Sequence, residues 1–279
     1  MTAFGPAPRP QRNWDWRAAC NFMAGGAGSG LVAWSAFDGT RPLGMALGAL
    51  AVAGGLLAVW AEIGRPWRAM NVLLHARRSW MTREALVAPL LLAAALAAAS
   101  GLRGAAWWAA AAALGFVYCQ ARILAAARGI PAWREPRIVP LVLLTALAEG
   151  GGAWMLIEAY RCVAPWWAWL ALAALLAARL WAWSSWRSRV RTALPALAVV
   201  DGAGRRLQAA GALALAAWLL VLTSPLADEG ARLLQAAAGA LVLASGLWFK
   251  FTLVTRAAWT QGFALPHLPV RGAARRQGG

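Results

Sequence analysis

The sequence predicts an all-α, polytopic integral membrane protein, a bundle of eight transmembrane helices. Of its 279 residues, 61% are hydrophobic and 13% are charged, whereas soluble domains are about 45–50% apolar and about 25% charged. Apolar stretches of about 20 residues, the length that crosses the hydrocarbon core, recur along the whole chain. The cationic residues between these stretches fall almost entirely on one side of the predicted membrane.

The eight predicted spans follow one another in chain order. They lie near 14–37, 42–62, 84–100, 105–126, 138–158, 165–183, 207–225 and 231–252. We therefore expect an eight-helix transmembrane anchor domain over 1–254 and a cytoplasmic tail over 255–279. The polar start before Trp14 has no secretory cleavage pattern, so the first span is expected to stay in the protein. In that span the spacing of Gly26 and Gly30 predicts close packing against another helix.

The charge distribution predicts the orientation. The net charge of +17 comes from 27 Lys and Arg against 10 Asp and Glu, and Lys250 is the only lysine. Cations of polytopic proteins collect in cytoplasmic loops. In the eight-span arrangement 22 cations lie on the side of the termini and 4 on the other, while Arg179 falls inside the sixth span. Both termini are thus expected in the cytoplasm, with a bacterial inner membrane and its lipid as the surroundings and no role in nucleic-acid binding.

Two of the ionisable side chains that fall inside predicted spans are singled out, because such groups are costly in a membrane and usually functional. Glu149 in the fifth span and Arg179 in the sixth are candidates for an intramembrane ion pair. In the alternative interpretation, Arg179 extends to the interface and another neighbour satisfies Glu149. Glu62 and Lys250 lie near inner ends of spans. A helix break at Gly150–Gly152 beside Glu149 would indicate a secondary transporter with a midplane Glu149/Arg179 site.

The densest polar segment joins the second and third spans. It carries Glu62, Arg65, Arg68 and His75, and it leads to Glu84 at the start of the third span. A carboxylate in the first turn of a helix also suits the helix dipole, which is a purely structural role. Carboxylates and histidine are proton carriers, so these residues predict a proton-exchanging pocket of the kind that a quinone headgroup needs.

Metal and haem ligands are scarce. Cys20, Cys119 and Cys162 are far apart and form no metal-binding motif. His75 and His267 both lie in loop-like sequence, whereas a membrane haem usually takes its axial ligands from the spans. We expect no haem and no bound metal in this chain.

Two segments carry a family resemblance. Residues 62–71 (Glu-Ile-Gly-Arg-Pro-Trp-Arg-Ala-Met-Asn) and 79–84 (Ser-Trp-Met-Thr-Arg-Glu) resemble the dimethyl sulfoxide reductase membrane-anchor (DmsC-type) family of the NrfD-like superfamily. That family's pattern is close to His-Leu-Gly-x-Pro-x-Arg-Ala-x-Asn-x-Leu, then Ser-x-Leu-Ser-x-Glu-Ile, at the same separation. Arg122 and the later run from Pro131 to Trp133 are similar as well, and the eight-helix plan agrees.

The resemblance implies a role in electron transport during anaerobic respiration. Such anchors are not catalytic alone. They pass electrons between the menaquinone or ubiquinone pool and a four-cluster ferredoxin-like iron–sulfur subunit, which serves a molybdopterin catalytic subunit. The C-terminal runs 250–256 and 261–266 are similar to a subgroup associated with sulfite dehydrogenase or phenylacetyl-CoA:acceptor oxidoreductase complexes.

The resemblance also implies roles for single residues. Glu84 matches the family's acidic residue at the quinol site. Glu62 stands where the family has histidine, so proton handling is expected to differ, and His75 is a candidate substitute. A third alternative is a structural anchor that does not contact quinone.

Overall fold

The structure, a computed structural model, describes residues 6–37, 42–62, 72, 77, 79–102, 104–224 and 227–262. The regular elements of these residues are all helical, and two of them are short π-helical segments. In chain order they are α1 (Trp16–Cys20), the first π segment (Asn21–Gly25), α2 (Gly26–Ser35), α3 (Pro42–Glu62), α4 (Trp80–Ala99), α5 (Ala105–Ala126), α6 (Pro131–Arg134), α7 (Ile138–Ala159), α8 (Trp166–Arg187), α9 (Leu194–Thr223), α10 (Asp228–Phe251) and the second π segment (Thr252–Arg256).

Seven helices in the described residues are long and apolar enough to cross a membrane, so the predicted all-helical membrane fold is confirmed but the helix count differs from eight. These seven are α3, α4, α5, α7, α8, α9 and α10 with the second π segment. The first predicted span is divided into α1, the first π segment and α2, which follow one another without a gap. A π turn is wider than an α turn, and glycines weaken helical preference in this stretch. None of the three pieces is long enough alone.

The third predicted span begins earlier than expected, at Trp80 rather than 84. Ser79 is its N-cap, because its side chain accepts a hydrogen bond from Thr82 N (3.3 Å). Serine is one of the residues most favoured at a helix N-cap. Glu84 therefore lies in the second turn of α4, beyond the reach of a simple end-capping role.

The seventh predicted span was too short at its start, since α9 begins at Leu194 rather than 207. Ala196, Val200 and Ala203 are buried on one face of this early part, and Val200 packs in the same core cluster as Trp186. The polar residues that suggested a loop occupy the other face of an amphipathic helix. The segment 184–206, between the sixth and seventh predicted spans, is thus mostly helix.

Helix α7 packs against several others through its glycines. Gly150 lies against the backbone of Gly30 in α2, so closely that a methyl group on either residue would collide with the other helix. Gly152 meets Gly239 of α10 in the same way. The close approach predicted for the Gly26–Gly30 spacing is confirmed at Gly30. The Gly150–Gly152 run does not break α7, so that premise of the transporter interpretation was wrong.

The N-terminal segment before α1 and the segment after the second π segment lie side by side. Gln11 N donates to Ala258 O and Thr260 N donates to Arg9 O, both at 2.8 Å, in an antiparallel pairing. Ala257 and Ala258 are fully buried. The first described residues of the predicted tail therefore pack against the N-terminal segment. The chain enters and leaves the helical bundle on the same face.

Candidate functional site

Glu84 is a buried carboxylate held by neutral amides. Its side chain is 6% exposed. Asn21 Nδ2, in the first π segment, donates to Glu84 Oε1 at 3.0 Å. The side chain of Gln120 in α5 also lies against Glu84, and its Nε2 donates to Asn21 O at 2.8 Å. Three helical elements thus converge on one carboxyl group.

Two acceptors beside this carboxylate lack partners. Asn21 Oδ1 and Gln120 Oε1 are buried and receive no hydrogen bond from the described residues. Buried polar atoms are nearly always paired, and leaving one unpaired costs about 1–3 kcal/mol. The site is therefore suited to a group that brings hydroxyl donors to it, or to a protonated Glu84 that supplies one.

An aromatic and cationic group adjoins Glu84 on α4. Trp80 is one helical turn before Glu84, so the two side chains share a face. The guanidinium groups of Arg83 and Arg122 lie 4.1 and 4.7 Å from the centre of the Trp80 ring. Tyr118 meets the same ring edge-on, with centroids 5.6 Å apart. Stacking cations on indole fixes the ring without neutralising Glu84.

Glu149 is a second buried carboxylate, but its partner is a cation. Neither Glu149 (0% exposed) nor Lys250 (2% exposed) is in contact with solvent. Lys250 Nζ lies 2.5 Å from Glu149 Oε2 and donates to Phe22 O at 2.9 Å. Gly26 and Gly246 make room, because a methyl group at Gly26 would strike the ammonium and one at Gly246 the carboxylate.

Arg179, the predicted partner of Glu149, is close enough for its charge to act on that carboxylate but is not the group that contacts it. Lys250 of α10 contacts Glu149 instead, in the space left beside Gly26 and Gly246. Arg179 is fully buried, and its Nη2 donates to Leu207 O at 3.0 Å. Its Nε and Nη1 have no hydrogen-bond partner among the described residues.

The π segments supply backbone acceptors to these side chains. In a π turn the backbone departs from the regular α-helical ladder, and such turns are common at functional sites. Here four carbonyls of the two segments each accept from a side-chain donor. The donor–acceptor pairs are Gln120–Asn21 (2.8 Å), Lys250–Phe22 (2.9 Å), Trp133–Leu253 (3.0 Å) and Gln11–Val254 (3.3 Å).

Glu62, at the end of α3, belongs to a different polar group. It is half-buried, and the charges of Asp15 and Arg17 act on it. Arg17 pairs with Asp15 (2.8 Å) and donates to Ala61 O (3.3 Å). Three further residues predicted for the proton-exchanging pocket lie outside the described residues: Arg65, Arg68 and His75.

The sequence reasoning missed the two amides. Asn21 and Gln120 each interrupt an otherwise apolar span, which is the signal that could have identified them, since buried amides need partners. Lys250 was recognised as a costly side chain near an inner helix end, but not as the partner of Glu149.

The described residues contain no group of three or more His, Cys, Asp and Glu side chains arranged to bind a metal ion. The chain matches no model of a known protein family, and no curated protein is significantly similar to it.

Proposed function

We propose that this chain is a quinone-reactive membrane anchor subunit of an iron–sulfur molybdoenzyme complex. The observation that carries the proposal is the Glu84 site: a buried carboxylate, held by an amide, with two unpartnered amide oxygens beside it. The family resemblance of the segments around Glu62 and Glu84 supports the same role.

The chemistry of a quinol fits these groups. A quinol brings two hydroxyl donors, and its oxidation to quinone releases two protons and two electrons. Asn21 Oδ1 and Gln120 Oε1 are acceptors for the hydroxyls, and Glu84 accepts one of the protons as a general base. The second proton leaves to solvent. In the reverse direction the same groups deliver protons to the reduced quinone.

The electrons pass to a partner in this proposal, because we assign no redox group to this chain. The resemblance implies a four-cluster ferredoxin-like iron–sulfur subunit and, beyond it, a molybdopterin subunit. A groove lined by Arg134, Arg189 and Arg191 together with Glu135 carries a net positive charge, which supports docking of an acidic protein surface.

We further propose that the stretch from α1 through α2 is an eighth crossing. The segment before α1 pairs with the segment after the second π segment, so both lie on the same side of the membrane in this arrangement. A chain that starts and finishes on the same side must cross the membrane an even number of times. The positive-inside rule then assigns that face to the cytoplasm of a bacterial inner membrane. An alkaline phosphatase fusion after the last helix should be inactive, and an active fusion would reverse the orientation.

Binding of a quinol analogue tests the central claim. The full chain, purified into lipid nanodiscs, is titrated with decylubiquinol and with a short-chain menaquinol by calorimetry. We expect saturable binding by one of the two, and at least tenfold weaker binding by Glu84→Gln. Glu158→Gln is the matched control, since Glu158 is also a fully buried carboxylate but lies in α7.

Two outcomes would overturn the proposal. One is the absence of saturable binding of either quinol, which would leave a structural anchor. The other is unchanged binding by Glu84→Gln, which would remove the assigned role from this carboxylate.

A further inference from the structure

Three buried charges lie at the centre of the bundle, and they do not balance. Lys250 and Glu149 form an ion pair, and Arg179 lies close enough for its charge to act on Glu149. Two cations and one carboxylate leave one positive charge over. A net charge removed from water is expensive, even when some of the charges are paired.

Other charged side chains of the surrounding helices have contacts of their own. Asp201 of α9 pairs with Arg187 of α8 at 2.5 Å. Arg206 and Arg256 lie over the ring of Trp248, at 5.9 and 5.0 Å from its centre. None of these groups is a counter-ion for the excess charge.

Among the described residues, Glu149 is the carboxylate whose charge acts on both Lys250 and Arg179. On α5, Arg122 stacks on Trp80. Before α1, Asp15 is bound by Arg17. Arg205 of α9 acts on Asp201. The other charged residues of α7 and α10 lie nine or more residues along the chain from Glu149 or Lys250, the cluster members on those helices: Arg137 (the N-cap of α7), Glu158, Asp228, Glu229 and Arg232.

The cluster becomes neutral when one proton leaves it. Loss of a proton from Lys250 Nζ gives a neutral amine beside the Glu149 carboxylate, and Arg179 then balances that carboxylate. The proton is released to solvent or to an acceptor nearby. Return of the proton restores the ammonium and the excess positive charge.

The first π segment joins this cluster to Glu84. Asn21 binds Glu84 through its side chain, and the next residue, Phe22, accepts from Lys250 through its carbonyl. Any movement of Asn21 when Glu84 gains or loses a proton is therefore transmitted to the acceptor of Lys250. Linkage of this kind acts equally in both directions.

We propose that the Lys250–Glu149–Arg179 cluster is a second, buried proton-exchanging site, linked to Glu84 through Asn21 and Phe22. Proton exchange at Lys250 does not depend on quinone. A part for this exchange in quinol oxidation rests on the proposed function. The site would let the protein hold or release a proton inside the bundle as the Glu84 site changes state.

Lys250 gives this proposal a direct test, because it is the only lysine. The full chain, labelled with ¹⁵N-lysine and placed in nanodiscs, presents a single Nζ resonance that distinguishes ammonium from amine. We expect this resonance to change between the two forms within the pH range in which the chain stays folded. A resonance that remains ammonium throughout would overturn the proton exchange.

The link is tested in the same spectra. Glu84→Gln should move the midpoint of the Lys250 titration by about one pH unit, which is a tenfold coupling of the size common between linked sites. Asn21→Ala, which keeps Glu84 but removes the connection, should do the same. Glu158→Gln should leave the midpoint in place.

An unchanged midpoint in both Glu84→Gln and Asn21→Ala would overturn the link. No quinone is present in these measurements, so a failure here is separate from a failure of quinol binding. Adding decylubiquinol to the wild-type chain should shift the Lys250 midpoint only if both proposals hold.

Discussion

Two of the buried carboxylates among the described residues, Glu84 and Glu149, have surroundings that differ in one respect. Glu84 is held by the neutral amide of Asn21, with Gln120 beside it. Glu149 is held by the ammonium of Lys250, with the charge of Arg179 acting on it. Both carboxylates are removed from solvent, so the difference lies in their partners alone.

This difference determines what each carboxylate can do. An amide has both a donor and an acceptor, so it can bind a carboxylate or a carboxylic acid. The Glu84 site therefore tolerates a change of proton and a change of ligand. An ammonium can only donate, so the ion pair between Lys250 and Glu149 exists only while Lys250 holds its proton, and Arg179 is the cation that remains when that proton leaves. Removing either side chain breaks this ion pair inside the bundle, which costs far more than breaking a pair at the surface.

The largest effect is expected from Lys250→Met. This change removes the ammonium that contacts Glu149 and donates to Phe22 O, and only the more distant charge of Arg179 then acts on the carboxylate. We therefore expect a loss of about 3–5 kcal/mol in the free energy of unfolding. The double variant Lys250→Met/Glu149→Gln should recover most of the loss, because Arg179 then carries the same single excess positive charge as the wild-type cluster and no carboxylate has lost the ammonium that contacts it. Unfolding in mixed micelles gives the free energies of the wild-type chain, Lys250→Met, Glu149→Gln and the double variant.

A double-mutant cycle on Lys250 and Glu149 measures whether the two side chains are energetically coupled. Additive losses in the two single variants would contradict a coupled pair. Asp201→Asn is a useful reference, because it breaks an ion pair that is about a third exposed on each side. For a pair so placed we expect less than about 1 kcal/mol.

The second largest effect is expected from Gly150→Ala. Its methyl group would collide with the backbone around Gly30, so α2 and α7 would have to separate. Overpacking of this kind costs about 1–3 kcal/mol. Because α2 follows the first π segment directly, the acceptor of Lys250 should shift as well, and the Lys250 Nζ resonance should broaden or move.

Gly54→Ala in α3 is the control for this prediction. No atom lies within contact distance of the place where its methyl group would sit. Alanine is also the better helix former, so this variant should be neutral or slightly more stable. Equal losses in the free energy of unfolding of Gly150→Ala and Gly54→Ala would show that the close α2–α7 contact is not the cause of the loss.

Much of the helical layout follows from the sequence alone. Apolar runs of membrane length carry their own signal, because the bilayer demands complete backbone hydrogen bonding within each segment. The first span was the exception. Its glycines and the π turn at Asn21 divide it, and hydropathy does not register a change in helical winding. The early start of α9 was missed because Asp201 and Arg205 face outward on an amphipathic turn.

The candidate site was less predictable. Glu84 and Glu149 stand out in any hydropathy reading, since buried carboxylates are rare. Their partners do not, because which cation or amide reaches a carboxylate depends on helix rotation. Glu149 was matched with Arg179 on the next helix along the chain. The side chain that contacts it, Lys250, lies about 100 residues later and reaches Glu149 through the space left by Gly26 and Gly246.

The smallest effect on stability is expected from Glu84→Gln, although its effect on function should be large. Glutamine has nearly the same shape, and its side-chain oxygen can still accept from Asn21 Nδ2. The substitution also removes a buried charge, so we expect the free energy of unfolding to change by less than about 1 kcal/mol in either direction. Unfolding in mixed micelles, compared with the wild-type chain, measures it. A loss as large as that of Lys250→Met would mean that Glu84 is held as tightly to one charge state as Glu149. The contrast between a site built on amides and a site built on cations would then fail.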